Sequence, residues 1–293
     1  MKVLKFEQKD ENEFKLTQRG LIDKIVNTTG LQDCKPNALP QSQLALGSDP
    51  DGPSISESWN YKSVVGMLLY LSCNSRPDIA FAVSQVCRFS SAPKQSHAAA
   101  VKTIVRYLHG TRTQGTILRP SKLLTLDLYV DADFCSLHGQ EVSRNPDAAR
   151  SRTGYIILLD DCPLLWKSQL QSHVSLSTLE AEYSALSYAL KTLIPLKRLL
   201  VHLMDALDAD EGLRTSVQAR AFEDNQGALC LAINQRVTNR TKYFLVKWHW
   251  FWSFVNVEFE AFKIDSKNQR ADFLTKGLPR AAFEHNRLSV QGW

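Results

Sequence analysis

The sequence predicts a mixed α/β domain preceded by a mainly helical region, with the change near residue 121. Three observations carry this. Leu124, Leu126, Leu128 and Val130 alternate with Thr125, Asp127, Tyr129 and Asp131, the period of a β-strand. Upstream, Ile79, Ala82, Val83 and Val86, and then Val101, Ile104, Val105 and Leu108, recur at helical spacing. Charge is also unevenly placed: Asn60 to Pro120 holds eight Lys or Arg against one acid, Asp78, whereas Ser121 to Trp293 holds 20 basic against 20 acidic residues.

The first part, residues 1–120, reads as an N-terminal subregion, a long loop and two helices. Pro36 to Ser58 is rich in Pro, Ser, Gly, Asn and Asp and predicts the loop. Ser75-Arg76-Pro77-Asp78 predicts a helix start, with a serine cap, proline at the first helical position and an acid in the first turn. The next helix ends at Gly110 and carries Lys102, Arg106 and His109 opposite its apolar face. Such a basic stripe suits a phosphate backbone, and equally suits a solvated helix face.

In the second part, residues 121–293, Gly154 to Leu159 and the stretch around Leu164 to Trp166 predict two more strands. A helix follows from Thr178 to about Leu203, then a strand at Ala221-Phe222-Glu223 and a helix from Gly227 to Ile233. Phe259 to Ile264 predicts a last strand, and Gln269 to Lys276 a helix closed by Gly277 and Pro279. Three strands, a helix, then alternating strand and helix make a mixed sheet with flanking helices.

No apolar run reaches the roughly 18 residues that span a bilayer, and the N-terminus lacks the apolar stretch of a secretory signal, so no membrane partner is expected. The six cysteines form no CxxC pair, which argues against a zinc site of that kind and for an intracellular protein.

Four acids fall at element ends: Asp131, Glu180, Asp224 and Asp272. Carboxylates gathered at one sheet edge repel and need cations. Hard, oxygen-ligated Mg²⁺ (or Mn²⁺) fits them best, and two such ions about 4 Å apart can activate water and hold a scissile phosphate. Each acid also has a structural reading. Ser177 and Glu180 fit a capping box, Asp224 could cap a helix, Asp272 could favour a helix start, and Asp131 could be a turn residue.

The motifs around these acids resemble copia-type retrotransposon Pol polyproteins. Tyr129-Val130-Asp131-Ala132-Asp133-Phe134 is similar to Y-x-D-A-D-W, Leu176 to Tyr183 to L-S-S-T-E-A-E-Y, Asp224 to Ala228 to D-N-Q-S-A, and Ala271 to Lys276 to A-D-I-L-T-K. Ser151 to Tyr155, Trp166-Lys167-Ser168 and Asn239 to Lys242 resemble further motifs in the same order. Upstream, Tyr61 to Gly66, Arg76 to Ala80 and Val101 to Thr111 resemble the region after the polymerase palm, and the ending resembles a polyprotein terminus.

The resemblance implies a ribonuclease H-like domain at 121–293, preceded at 1–120 by the end of the palm and the thumb/connection of a reverse transcriptase. It places the family's catalytic, metal-holding acids on Asp131, Glu180, Asp224 and Asp272. It implies an RNA–DNA hybrid as substrate, the palm and fingers as partners in an intact element, and a cytoplasmic, particle-associated or nuclear location. The polymerase's adjacent aspartates after a strand are absent, since Asp160-Asp161 is expected in a turn, so no DNA synthesis is expected from this chain alone. Lys242 to Ser253 departs from the family pattern: Tyr243 stands for a histidine, Leu245 for an aspartate, and three tryptophans crowd five residues. His249, aligned with a family histidine, is expected to be structural. Two rival readings are an inactive or domesticated fragment that binds nucleic acid without cleaving it, and a structural remnant with neither activity.

Overall fold

A computed structural model describes residues 4–42, 44–121, 123–135, 146–207, 217–238, 241–242 and 248–293. Asn239, Tyr243 and Leu245, named above, lie outside the described residues.

Two sheets are present among the described residues. The smaller has the order β1 (Lys5–Asp10), β2 (Glu13–Thr17), β3 (Thr116–Leu118), all antiparallel. Between β2 and β3 run four helices: α1 (Arg19–Thr29), α2 (Tyr61–Asn74), α3 (Ala80–Cys87) and α4 (Gln95–Gly110). The larger sheet is built from β4 (Thr125–Asp133), β5 (Arg152–Leu159), β6 (Cys162–Leu170), β7 (Gln218–Glu223) and β8 (Glu260–Lys263). Its order is β6-β5-β4-β7-β8; β6, β5 and β4 are antiparallel, and β7 and β8 join parallel. Helices α5 (Thr178–Ala206) and α6 (Gln226–Asn234) supply the crossovers, and α7 (Arg280–Gln291) closes the chain. This is the mixed sheet with flanking helices that the sequence predicts.

The period-two pattern of β4 sorts its side chains between two cores. Leu126, Leu128, Val130 and Ala132 pack against α5 through Ala181, Ala185, Ala189 and Leu193. Burial along α5 stops at Ile194, next to Pro195, which withdraws a backbone donor from the helix. On the opposite face Tyr129, with Ile156 and Leu158 of β5, joins one continuous core with α1 to α4, Phe273 and Phe283. The sheet is therefore covered on that side by the N-terminal helices. Polar ties reinforce the junction. Trp166 Nε1 donates to Ser72 O at 2.7 Å, and the buried Arg152 guanidinium donates to Ser84 Oγ at 2.7 Å, Gln85 Oε1 at 3.2 Å and Ser168 Oγ at 3.2 Å.

Three local expectations need correction. Ser75 does not cap a helix: it ends α2, and its hydroxyl donates to Gln18 Oε1 at 2.6 Å, while Pro77–Ile79 makes one 3₁₀ turn before α3. Helix α2 itself was not expected; Asn60 caps it by accepting from Ser63 N at 2.9 Å. The stretch from Gln269 to Lys276 is no α-helix. Gln269 turns inward and donates to Val130 O at 2.8 Å, Asp272–Leu274 forms a 3₁₀ turn, and the last helix begins only after Pro279.

Candidate metal centre

Asp131, Glu182 and Asp224 each offer a carboxylate oxygen, and the three oxygens lie within 4.8 Å of one another. Each comes from a different element. Asp131 lies near the end of the central strand β4, Glu182 in the second turn of α5, and Asp224 follows the last residue of β7. The parallel β4–β7 pairing, with Tyr129 opposite Phe222, carries the two aspartates to the same sheet edge. Asp224 is free to point at the cluster because its neighbour does the capping: Asn225 Oδ1 accepts from Gly227 N at 2.9 Å and Ala228 N at 3.0 Å.

Glu180, the glutamate expected at the site, is elsewhere. Its Oε2 accepts from Leu176 N at 2.7 Å, and its own N–H donates to Ser177 Oγ at 3.1 Å. It thus satisfies free donors at the start of α5. Glu182 lies two residues on, about 200° around the helix, and faces the sheet. The sequence held the signal: Ser177-x-x-Glu180 claims the first glutamate of Glu180-Ala181-Glu182 for the cap and leaves the second free.

Asp272 is close by, outside the three-acid cluster. The 3₁₀ turn that carries it is clamped against the sheet. Gln269 anchors its start, Thr275 donates its hydroxyl to Asp131 Oδ2, and Gly154 of β5 leaves room for it. A Cβ on Gly154 would lie 2.6 Å from Thr275 Cγ2 and 2.9 Å from Leu274 Cβ. Lys276 Nζ is 3.0 Å from Asp272 Oδ1 and 3.7 Å from Asp131 Oδ2. Asp131 is therefore shared by two groupings: the three-acid cluster, and the set with Asp272 and Lys276.

A further buried acid, Glu223, was missed. It is fully buried, and Oε1 accepts from Asn225 N at 2.9 Å, while Oε2 has no hydrogen-bond partner among the described residues. Its strand position made it look like an ordinary alternating residue. Glu182 Oε2 is orphaned in the same way.

The electrostatics follow from burial and like charge. Burial pushes Asp131 up to about 7; Lys276 and Thr275 oppose that rise, and Asp272 and Asp224 add to it. Glu182 is raised by burial and by Asp131, Glu223 and Asp224. Glu223 is raised by burial, against the Asn225 hydrogen bond, and Asp272 by burial, against Lys276. Lys276 keeps its proton: burial works against the ammonium, and Asp131 and Asp272 more than offset it. Carboxylate oxygens of Asp131, Glu182 and Asp224 within 4.8 Å of one another, with Glu182 Oε2 orphaned beside them, make an all-oxygen donor set that fits a hard divalent cation.

The basic stripe of α4 is only partly displayed. Lys102 Nζ is 2.6 Å from Glu57 in an ion pair, His109 is half-buried, and Arg106 is exposed. His249 is half-buried; its Nδ1 shares a hydrogen bond with Tyr183 Oη at 2.9 Å, and its ring stacks on Trp252 at 4.2 Å. Asp160 and Asp161 both have positive φ in the two-residue turn between β5 and β6. No helix among the described residues is long and apolar enough to cross a membrane.

Comparison with known proteins decides the relationship. The chain is 34% identical over 276 residues to the retrovirus-related Pol polyprotein from transposon TNT 1-94 of Nicotiana tabacum, covering 92% of this chain and 19% of that protein. It is 31% identical over 271 residues to the corresponding polyprotein from transposon RE1 of Arabidopsis thaliana, covering 92% of this chain and 17% of the relative. The uncharacterised mitochondrial protein AtMg00810 of Arabidopsis thaliana is 30% identical over 172 residues, with 59% of this chain and 68% of that protein covered. The chain is homologous to a segment of retrotransposon-related Pol polyproteins. It spans less than a fifth of the length of these two polyproteins. No family model matches. Ribonuclease H1 from Halobacterium salinarum overlays with a TM-score of 0.32 at 15% identity, covering 52% of this chain and 94% of that one. At that score the overlay carries no weight of its own. The Pol relationship rests on sequence identity, and the cation site on the acids.

Proposed function

We propose that the chain is the C-terminal part of a copia-type Pol polyprotein whose ribonuclease H domain cleaves the RNA strand of RNA–DNA hybrids, with Mg²⁺ or Mn²⁺ held by Asp131, Glu182, Asp224 and Asp272. The observation that carries this reading is the convergence of two buried acids from β4 and α5 and a half-buried one at the end of β7, with carboxylate oxygens within 4.8 Å of one another. Bound divalent ions would supply Lewis acidity at a phosphoryl oxygen and a lowered pKa for a ligated water.

The chain's own residues do the rest. Asp131, central to the sheet, fixes the origin of the site. Asn225 holds Asp224 at the rim by capping α6 through Gly227 and Ala228. Glu182 is held by α5, whose first turn Glu180 stabilises. Burial keeps the Asp131 and Glu182 carboxylates poorly hydrated, so charge from metal or phosphate would act on them across little water. On the helical side, Arg106, with Lys102 once freed from Glu57 and His109 at the end of α4, would contact the backbone of the hybrid beyond the site. The palm and fingers of an intact element would complete the polymerase, which this chain does not encode.

The test is cleavage of a labelled RNA–DNA hybrid by the purified chain, with Mg²⁺ and with chelator. Cleavage of the RNA strand that needs metal and is lost in Asp131→Asn and Asp224→Asn is the expected result. Salt-sensitive hybrid binding without cleavage, by a chain that unfolds cooperatively, would replace this reading with that of an inactive fragment that binds nucleic acid.

A further inference from the structure

We propose that the Lys276 ammonium is a built-in cation that holds the second ion position of the acidic centre. One divalent ion then binds tightly to Asp131, Glu182 and Asp224, and a second enters only when Lys276 swings away. The inference rests on reading the centre as a divalent-cation site.

Asp131 belongs to two groupings of charge. In one are the three carboxylate oxygens within 4.8 Å, with no basic side chain in an ion pair with Glu182 or Asp224 among the described residues. In the other stands Lys276, 3.0 Å from Asp272 Oδ1 and 3.7 Å from Asp131 Oδ2. A lysine four residues after an aspartate often makes a plain surface pair of little consequence. This one differs because its second partner, Asp131, is 2% exposed and is itself a member of the metal cluster. The ammonium lies between two carboxylates, and a second cation held by the same pair could not share that space with it.

Placement and release are both provided for. The turn carrying Asp272 and Lys276 is fixed by Gln269 on Val130 O and by close contact with Gly154, so the residue starts from a defined point. The Lys276 side chain is 41% exposed, and its flexible stem can carry the ammonium into solvent without moving that turn. The nearby Lys263 does not compete for this role, since it donates to the backbone oxygen of Asp224 and not to a carboxylate. The arrangement gives an order of loading. The first ion meets no ammonium paired with Glu182 or Asp224, and the second must displace one from Asp131 and Asp272.

The test is Mn²⁺ binding to the full chain, counted by electron paramagnetic resonance and calorimetry, with no substrate present. Wild type is expected to bind one ion tightly and a second weakly. Lys276→Met should tighten the second ion by at least about tenfold, the scale on which groups beside ligands tune metal affinity, and leave the first within a few-fold. Lys276→Gln should repeat the effect with a polar side chain, and Lys276→Arg, which keeps the charge, should retain the wild-type pattern. Thermal unfolding in chelator checks that each variant is folded. Equal affinity for the second ion in wild type and both neutral variants would overturn the role of Lys276 and leave the cation site standing. A folded wild-type chain that binds no Mn²⁺ would overturn the cation-site reading, and this inference with it.

Discussion

Two buried charged centres in this molecule are built on opposite plans. In the helical region, Arg76 and Asp78 are 1% and 0% exposed and meet in a two-pronged pair, Nε to Oδ1 at 2.9 Å and Nη2 to Oδ2 at 2.7 Å. Tyr107 donates to Asp78 Oδ2 at 2.6 Å, and Thr111 receives the remaining guanidinium bonds at 2.8 and 3.3 Å. Opposite charges balance and every prong has a partner. At the sheet edge, Asp131, Glu182, Glu223, Asp224 and Asp272 outnumber two lysines, Lys276 and, on the backbone oxygen of Asp224, Lys263, and Glu182 and Glu223 each keep an orphaned oxygen. A buried centre that is complete serves the fold. One left short of positive charge weakens the fold unless a cation is added, and a cost of that kind marks a binding site.

The largest effect on stability should come from breaking the complete centre. Arg76→Met leaves Asp78 buried without its cation and should cost roughly 3–5 kcal/mol in denaturant unfolding. An equal loss in Glu182→Gln would erase the contrast, because neutralising a member of the acidic centre should stabilise the metal-free chain.

Crowding the turn that carries Asp272 comes next. Gly154→Val drives a side chain into Thr275 and Leu274 and should cost roughly 1–3 kcal/mol. It should also reduce the rise in melting temperature that Mg²⁺ gives, since the turn can no longer seat against β5. An undiminished Mg²⁺ response would detach this turn from the site.

The pH dependence sharpens the comparison further. Asp131 has its folded pKa raised above the ordinary value of 3.8 to about 7, so the folded state binds more protons than the unfolded chain across that window. The contribution of Asp131 to stability in chelator is therefore full below about pH 4 and is lost as pH rises through 7. Asp131→Asn should flatten the fall, and saturating Mg²⁺ should oppose it by favouring the ionised form. Melting temperatures in chelator that rise from pH 5 to 8 would contradict the account. The smallest effect belongs to the helix cap: Ser177→Ala should cost about 0.5–2 kcal/mol and leave metal binding intact.

Much of this was legible in the sequence, because period-two and helical patterns survive wherever one face is buried. The strands β4, β5 and β7 and the helices α5 and α6 fall within a few residues of where the patterns put them. The failures share a cause, which is competition for the same polar groups by partners distant in sequence. Ser75 looked like a cap, but Gln18 takes its hydroxyl. Lys102 looked free, but Glu57, from the loop before α2, pairs with it. Gln269 to Lys276 looked like a helix until Gln269 spent its side chain on Val130 O. Glu180 and Glu182 sit in one motif, and only the capping geometry separates them. The acids on strand ends were readable because a strand's end is fixed by its pattern. The choice between two helical glutamates was not, because it depends on which way the helix is turned.

That choice gives the most direct measurement. Metal-dependent cleavage of the RNA strand of a labelled hybrid should be compared for wild type, Glu182→Gln and Glu180→Gln, each shown to be folded. The account predicts that Glu182→Gln lowers cleavage by at least about a hundredfold, while Glu180→Gln stays within a few-fold of wild type. Loss of cleavage in Glu180→Gln with activity retained in Glu182→Gln would contradict it.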